Sequence, residues 1–344
     1  MPTKVKRRIS GFLCLFCIVA HSLSVSLPIG TPMLGDNDGW NNTSTNDLRI
    51  NDPNLLLEIP EEWVGVGIGQ TRLLFHDYAA VHGHTYIPRD QGNSPSCVGQ
   101  ATAAAVDFLA AVEIHSFGEA ERAPPGAAAA CAIYGLSRQE IGELGPDVGG
   151  GSMNIWACQA IQQYGVIARL QYPMLGYDLR EPSAARAIKF GSKGLSRGLE
   201  MVAKIHPVKD YIAINSYEDL RDAVAMGYPV TIGSSQGFGN GKLTRDSEGF
   251  LSPPFRIFRP SVWNHSLCCI GVCDEGRRGA LILNSWGGEP EDGSGWISGP
   301  DRFPGTPEGC FFVDASIIDY MVKHGDSFAI RGYKGYKSYQ IFQR

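Results

Sequence analysis

Charge of one sign is what this chain lacks. Lysine and arginine number 30 against 35 aspartates and glutamates, charged residues make up 19 %, and the formal net charge is −5. Neutralising phosphates needs a concentrated basic face, so a nucleic-acid partner is not expected. No internal repeat is visible, which argues against a solenoid or propeller. Beyond one apolar run near the start, no second segment is expected to cross a bilayer. His76, His82 and His84 have no acidic or cysteine partner at useful spacing, so they read as solvated loop histidines and no metal is expected. The Gly65-x-Gly67-x-Gly69 pattern is not followed by a helix, which argues against a dinucleotide loop. No cofactor is expected.

What is present suits a globular protein. The 344 residues are 43 % apolar, enough for one large or two medium domains with real cores. With 42 glycines and 21 prolines, long irregular connections are expected. Lys4, Lys6, Arg7 and Arg8 precede a short apolar run, Gly11 to Ala20, and then small and polar residues. Residues 1–27 therefore read as a signal peptide of a secreted or cell-envelope protein. A membrane anchor is the second reading, since the run is shorter than the roughly 20 apolar residues of a span. Cys14 and Cys17 lie too deep in that run to suggest lipid attachment. Residues 28–80 read as a linker or short pro-segment, unstructured to about Glu58, with Trp63 to Gly69 a candidate edge strand.

Periodicity places the elements that matter. After the Pro95 break, Ala101, Ala104, Ala105, Phe108, Leu109 and Val112 recur at helical spacing, with Ser96 as the expected cap. Cys97 thus lies at a helix N-terminus, where unpaired N–H groups and the dipole favour an anion. A second helix is expected over 154–164, with Trp156, Ala160 and Tyr164 on one face and Gly165 closing it. Ser216 and Asp219 form a capping-box pattern before Leu220, Ala223 and Val224. Strands are expected over 228–232, 266–273, 280–285, 311–313 and 328–330. The second and third of these form a hairpin, a helix separates the last two, and 288–309 is a long loop. The order implies an α+β protein of two subdomains, helix-rich over 81–203 and β-rich over 204–344.

Four groups stand out by their chemistry. Cys97 is a candidate nucleophile, and a thiol attacks only as thiolate, so it needs a base. His265 is the candidate base, Asn284 its orienter, and Gln91, six residues before Cys97, a side-chain donor for an oxyanion. Each has a plainer reading. Cys97 could be a buried thiol, His265 a core histidine, Asn284 and Gln91 turn residues, and Trp286 part of the core.

Taken together the motifs are more specific. Gln91-Gly92-Asn93-Ser94-Pro95-Ser96-Cys97 resembles the Q-G-x-C-G-S-C segment of the papain family. Asn264-His265-Ser266 with Gly271 resembles its [DN]-H-[AS]…G segment, and Asn284-Ser285-Trp286-Gly287 matches N-S-W-G. Gly149-Gly150-Gly151, Tyr164-Gly165-Val166 and Tyr172-Pro173 resemble its Gly-Gly and Y-G-I…Y-P segments. The similarity runs from about residue 86 to 335.

The resemblance implies a papain-like two-lobed α+β fold, with a helical left subdomain, an antiparallel β-barrel-like right subdomain and the active-site cleft between. It implies a cysteine-type peptidase acting on a peptide or protein substrate. Cys97 would form a thioester, His265 would act as base and acid, and Asn284 would orient the ring. Gln91 and the Cys97 N–H would hold the oxyanion, and Trp286 would cover the Asn284–His265 contact. Gly150 and Gly151 would lie along the substrate backbone, although they could simply turn the chain. A catalytically idle peptide-binding relative, or an acyl transferase using the same thioester, would carry the same groups. A monomer is expected.

The chain departs from the family pattern in four places. Val98 stands where Trp is usual, and Ser94 replaces a cysteine, so that common disulfide cannot form. There is no long amphipathic pro-region before Gln91, and the segment after Gly287 is longer than usual. Six cysteines besides Cys97 follow the signal, and sequence ranks neither their pairings nor free thiols. Asn264-His265-Ser266 also fits the glycosylation pattern, as do Asn41 and Asn42. A glycan at Asn264 would block the site, so that sequon must be buried or left unmodified.

Overall fold

The computed structural model describes residues 58–118, 126–145, 149–234, 242–252, 264–289 and 295–333. The expected signal peptide with Cys14 and Cys17, the stretch 28–57, and the sequons at Asn41 and Asn42 lie outside the described residues.

Eight α-helices are described. They are α1 (Phe75–His82), α2 (Cys97–Phe117), α3 (Ala130–Leu136), α4 (Asn154–Gln163), α5 (Ala184–Lys193), α6 (Arg197–Ala203), α7 (Tyr217–Ala225) and α8 (Ala315–Lys323). Six of the eight precede residue 204. The strands begin with β1 (Thr71–Leu73), β2 (Gln171–Tyr172), β3 (Tyr177–Asp178), β4 (Val208–Ala213), β5 (Val230–Ser234) and β6 (Leu243–Thr244). They continue with β7 (His265–Cys273), β8 (Gly279–Leu283), β9 (Ile297–Ser298), β10 (Cys310–Asp314) and β11 (Asp326–Tyr333).

One antiparallel sheet runs in the order β10-β8-β7-β5-β11-β4, with β1 also pairing β7. Among the described residues this sheet stays open rather than closing into a barrel. β7 is buried along its whole length, so the alternation of a half-exposed strand is missing and an apolar run stands in its place. The expected hairpin is present, with Cys273 opposite Gly279.

The Cys97 helix is the spine of the molecule. It carries Val98, Ala105, Val106, Phe108 and Leu109, all fully buried, and it packs on β7, β5, β11 and on helices α1, α3 and α4. Each large apolar side chain buried this way contributes about 1.5–3 kcal/mol. By length and composition Cys97–Ser116 is apolar enough to cross a membrane, contrary to expectation, yet 89 % of that stretch is buried inside the fold. It is a core helix. A smaller core of Ala129, Ala132, Leu136, Ile167, Phe190 and Leu199, among others, belongs wholly to the helix-rich half.

Three expectations need correction. Trp63 to Gly69 is not an edge strand: Glu61–Trp63 form a 3₁₀ turn, and Gly65 and Gly69 take positive φ of 83° and 65°. The Asp222 carboxylate accepts the Gly65 and Gly67 N–H groups at 2.7 and 3.0 Å, which curls the chain onto α7. Consequently residues 58–80 are not linker. Trp63 is buried and stacks on Tyr228 with centroids 4.8 Å apart, and β1 is a strand of the main sheet.

The third correction is local. Ser96 sits at the N-cap of α2 but makes no capping bond; its hydroxyl pairs with Ser94 Oγ at 2.7 Å. On α4 Trp156, Ala160 and the capping Tyr164 share one side at helical spacing, as expected, with Ile155, Cys158 and Ile161 buried beside them. The capping pattern at Ser216 holds. Its oxygen accepts the Asp219 N–H, while the Asp219 carboxylate reaches Asn215 N.

Candidate active site

Cys97 is the first residue of α2, and α2 lies against β7, whose first residue is His265. Both residues are fully buried. The register of β7 on β5 sets His265 opposite Ser234. From β8 the chain passes to Asn284, whose Oδ1 lies 2.8 Å from His265 Nε2. The same oxygen accepts the Ser285 N–H at 2.7 Å, which fixes which end of the amide faces the ring. A carbonyl oxygen only accepts, so Nε2 donates, and the neutral imidazole keeps its basic lone pair on Nδ1. Trp286 stacks beside the ring with centroids 5.0 Å apart and 33° between planes, and Trp296 meets Trp286 edge-on at 5.3 Å. His265, Asn284 and Trp286 are thus brought together.

Gln91 joins the group from the other side of the sequence. Its N–H bonds to Ser285 O at 2.9 Å, and its Oε1 accepts the Ser285 hydroxyl at 2.7 Å. With the oxygen so engaged, the amide nitrogen points toward the helix start and gives one proton to Ser94 O at 3.1 Å. An amide nitrogen carries two protons. Ser285 was not singled out from sequence, though it stands inside the Asn-Ser-Trp-Gly motif that marked Asn284.

The two substrate-binding glycines part company. Gly151 is buried, its N–H donates to Tyr134 Oη at 3.1 Å, and its carbonyl accepts from the Arg138 guanidinium. Both polar groups are thus engaged from within the helix-rich half. Gly150 is half-buried, and a Cβ there would collide with the Pro95 ring, which explains the absent side chain.

Behind the site is a buried polar cluster that sequence reading missed. Asp107 accepts from Arg89 Nη2 at 2.5 Å, Tyr86 Oη at 2.9 Å and the Ala128 N–H at 2.7 Å. Burial pushes the Tyr86 phenol up. For Arg89 burial works against the charge, but Tyr86 and Asp107 outweigh it and hold the guanidinium charged. No periodic signal marks such a cluster, because its members lie 3 to 39 residues apart.

His76, His82 and His84 are exposed, the first two on α1 rather than in a loop, and His82 packs on Tyr78. Among the described residues no group of histidine, cysteine and carboxylate side chains is placed to hold a metal. At the Asn264 sequon His265 and Ser266 are buried and Asn264 is half-buried.

Cys131, Cys268, Cys269, Cys273 and Cys310 are thiols rather than disulfides. Burial pushes Cys268 and Cys310 well up, Cys269 to about 12, and raises Cys131. A thiol reacts through its thiolate. Iodoacetamide on the folded protein at neutral pH is therefore expected to modify Cys97 ahead of these four, and all of them only after unfolding. Peptide mapping by mass spectrometry reads the order.

No protein-family model matches this chain, and no curated protein matches it in sequence. Solved structures do. Xylellain, a cysteine protease from Xylella fastidiosa, is 19 % identical with a TM-score of 0.58, over 90 % of this chain and 99 % of xylellain. Digestive procathepsin L 3 of Tenebrio molitor larval midgut is 15 % identical with a TM-score of 0.49, over 86 % and 76 % of the two chains. Bromelain from Ananas comosus is 15 % identical with a TM-score of 0.43, over 77 % and 99 %. The likeness to xylellain spans nearly the whole of both chains and, with the open antiparallel sheet and the Cys97 helix packed on it, identifies the fold as the α+β fold of the papain-like cysteine proteases.

Proposed function

We propose that this protein is a cysteine-type peptidase that hydrolyses peptide bonds through a thioester, with Cys97 as nucleophile and His265 as base and acid. The observation that carries the reading is the Asn284 oxygen held between Ser285 N–H and His265 Nε2. That arrangement commits Nε2 to the asparagine and leaves proton exchange with a sulfur to Nδ1.

The steps follow from the groups. The helix start favours an anionic sulfur, and an imidazolium beside it does so further. The Cys97 thiolate attacks the scissile carbonyl carbon, forming a C–S bond and a tetrahedral oxyanion. The Gln91 side-chain amide and the Cys97 N–H are the donors for that oxygen. As the C–N bond breaks, His265 Nδ1–H protonates the leaving amine. The neutral ring then takes a proton from water, hydroxide adds to the thioester, and the acid and the thiol are released. Trp286 keeps water from the Asn284–His265 bond. The substrate is a peptide or protein, and none of these steps calls for a metal or organic cofactor. The proposal takes 81–203 as the lobe of the nucleophile, 204–344 as the lobe of the base, and the enzyme as exported, on the basic and apolar residues of its first 20 positions.

Turnover of a mixed peptide library, with labelling by a thiol-reactive epoxide located by mass spectrometry, tests the reading. Cleavage with label on Cys97 supports it; no cleavage, or label elsewhere, ends it. An added amine in the assay separates hydrolysis from acyl transfer through the same intermediate. Asn284→Ala is expected to lower kcat about 10- to 100-fold, part of the roughly 10²- to 10⁴-fold that a positioned acid–base group supplies, with KM little changed. An unchanged kcat would show that the ring needs no such partner.

A further inference from the structure

A residue of the helix-rich half reaches across to the strand that carries His265. Asn154 opens α4 and is fully buried. Its Nδ2 donates to Asp326 O at 2.9 Å, and its Oδ1 accepts the Ser266 hydroxyl at 2.7 Å. The Asp326 carboxylate in turn accepts the Ile155 N–H at 3.2 Å, one of the donors left over at a helix start. Asp326, Gly233 and Ser266 lie opposite one another across β11, β5 and β7. One side-chain amide therefore joins two strands that are not neighbours, across the glycine of the strand between them. Ser266 directly follows His265.

The same short segment is fixed at its other end. Gly151 is held by Tyr134 and Arg138, and Gly150 lies against Pro95, two residues before Cys97. Residues 150–154 thus touch the approach to the thiol at one end and the strand of the base at the other. Sheet pairing does not explain the Ser266 hydroxyl, since an alanine would keep every backbone bond of β7. A buried hydroxyl is retained only with a partner, and Asn154 is that partner.

We infer that Asn154 is a positioning residue of the proposed peptidase, holding His265 in place relative to Cys97 through the Ser266 hydroxyl. The inference rests on the peptidase reading. It acts on the imidazole from the backbone side, whereas Asn284 acts on the ring itself. Loss of the strut lets the base drift from the sulfur, which weakens the thiolate–imidazolium pair. The thiol then ionises at higher pH, so the acid limb of the pH profile moves up.

The test compares Ser266→Ala, Ser266→Thr, Asn154→Ala and the double alanine variant with the wild type. Ser266→Ala and Asn154→Ala are each expected to lower kcat about ten-fold with KM within about two-fold, and to move the acid limb of kcat/KM to higher pH. Ser266→Thr, which keeps a hydroxyl, is expected to restore most of the rate. The double variant is expected to be no worse than the weaker single one, because both remove one interaction. Unchanged kcat and pH profile in Ser266→Ala, with only a lower melting temperature, would overturn the inference. Should Asn154→Ala fail to fold, the alanine and threonine variants at 266 decide alone. Should the wild type show no peptide turnover, the peptidase reading falls. The pH dependence of Cys97 alkylation by iodoacetamide in the same variants then decides the strut: an unmoved profile overturns it, a profile moved to higher pH upholds it.

Discussion

Cys97→Ala is expected to reduce peptide turnover by at least about 10³-fold while leaving the fold and its melting temperature nearly unchanged. The reaction proposed here has one nucleophile, and groups that act as a unit lose almost everything when one of them is removed. Alanine keeps the helix start, having the best helix propensity of any residue. It also keeps the packing of Val98 and Ala101 that anchors this end of α2. The measurement is kcat/KM on a cleavable peptide, with circular dichroism to check the fold. Residual turnover within ten-fold of wild type would place the nucleophile elsewhere. Epoxide labelling should vanish in parallel, since burial raises Cys131, Cys268, Cys269 and Cys310 and keeps them as thiols.

The largest stability effect is expected at Asp107. Its carboxylate and the Arg89 guanidinium are each about 5 % exposed, and three donors converge on it. Asp107→Ala removes the acceptor and strands a buried guanidinium, a tyrosine hydroxyl and the Ala128 N–H together. Breaking one partner of a buried pair costs about 3–5 kcal/mol. Urea unfolding on a Cys97→Ala background, which prevents self-digestion, reads this directly. By contrast Asp178→Ala, in the exposed Asp178–Arg180 pair, is expected to leave the midpoint where it is. A loss below about 1 kcal/mol at Asp107 would mean that water or a rearranged Tyr86 replaces the carboxylate. The variant should also lose activity beyond its stability loss, because Arg89 lies two residues before Gln91 and ties the segment leading to it to Ala128 O.

The segment before the helical half limits how the proposed peptidase could be matured. Residues 28–80 read as linker, yet from about Ile59 onward they pack against the core and supply β1 to the sheet. The reason is in the partners rather than in the segment. Gly65 and Gly67 have no stiff side chains, and it is Asp222 on α7 and Asp274 after β7 that gather their N–H groups and that of Gly69. A cut that removed β1 would take the buried Leu73 out of the core and leave the buried Leu74 and Phe75 at a chain end.

Local signals were legible wherever the interaction they predict is itself local. The Pro95 break and the small apolar residues after it place the start of α2 at Cys97. Ser216 with Asp219 caps α7, and the 274–278 turn closes the β7–β8 hairpin. The same reasoning failed where another group competes. Ser96 is a cap by type, but Ser94 takes its hydroxyl.

The short runs around Gln91, Cys97, His265 and Asn284 marked these residues as candidates by themselves, and the helical and alternating patterns determined most of the elements, because each such signal lies within one or two turns of chain. Only the tertiary structure decided which imidazole nitrogen faces the asparagine, that the Gly151 backbone bonds inward, and that Asn154 braces the strand of His265. Those contacts join residues 13 to 172 positions apart. At such separations the partner is chosen by burial and by the need of every buried polar group for a bond, which no short stretch of chain records.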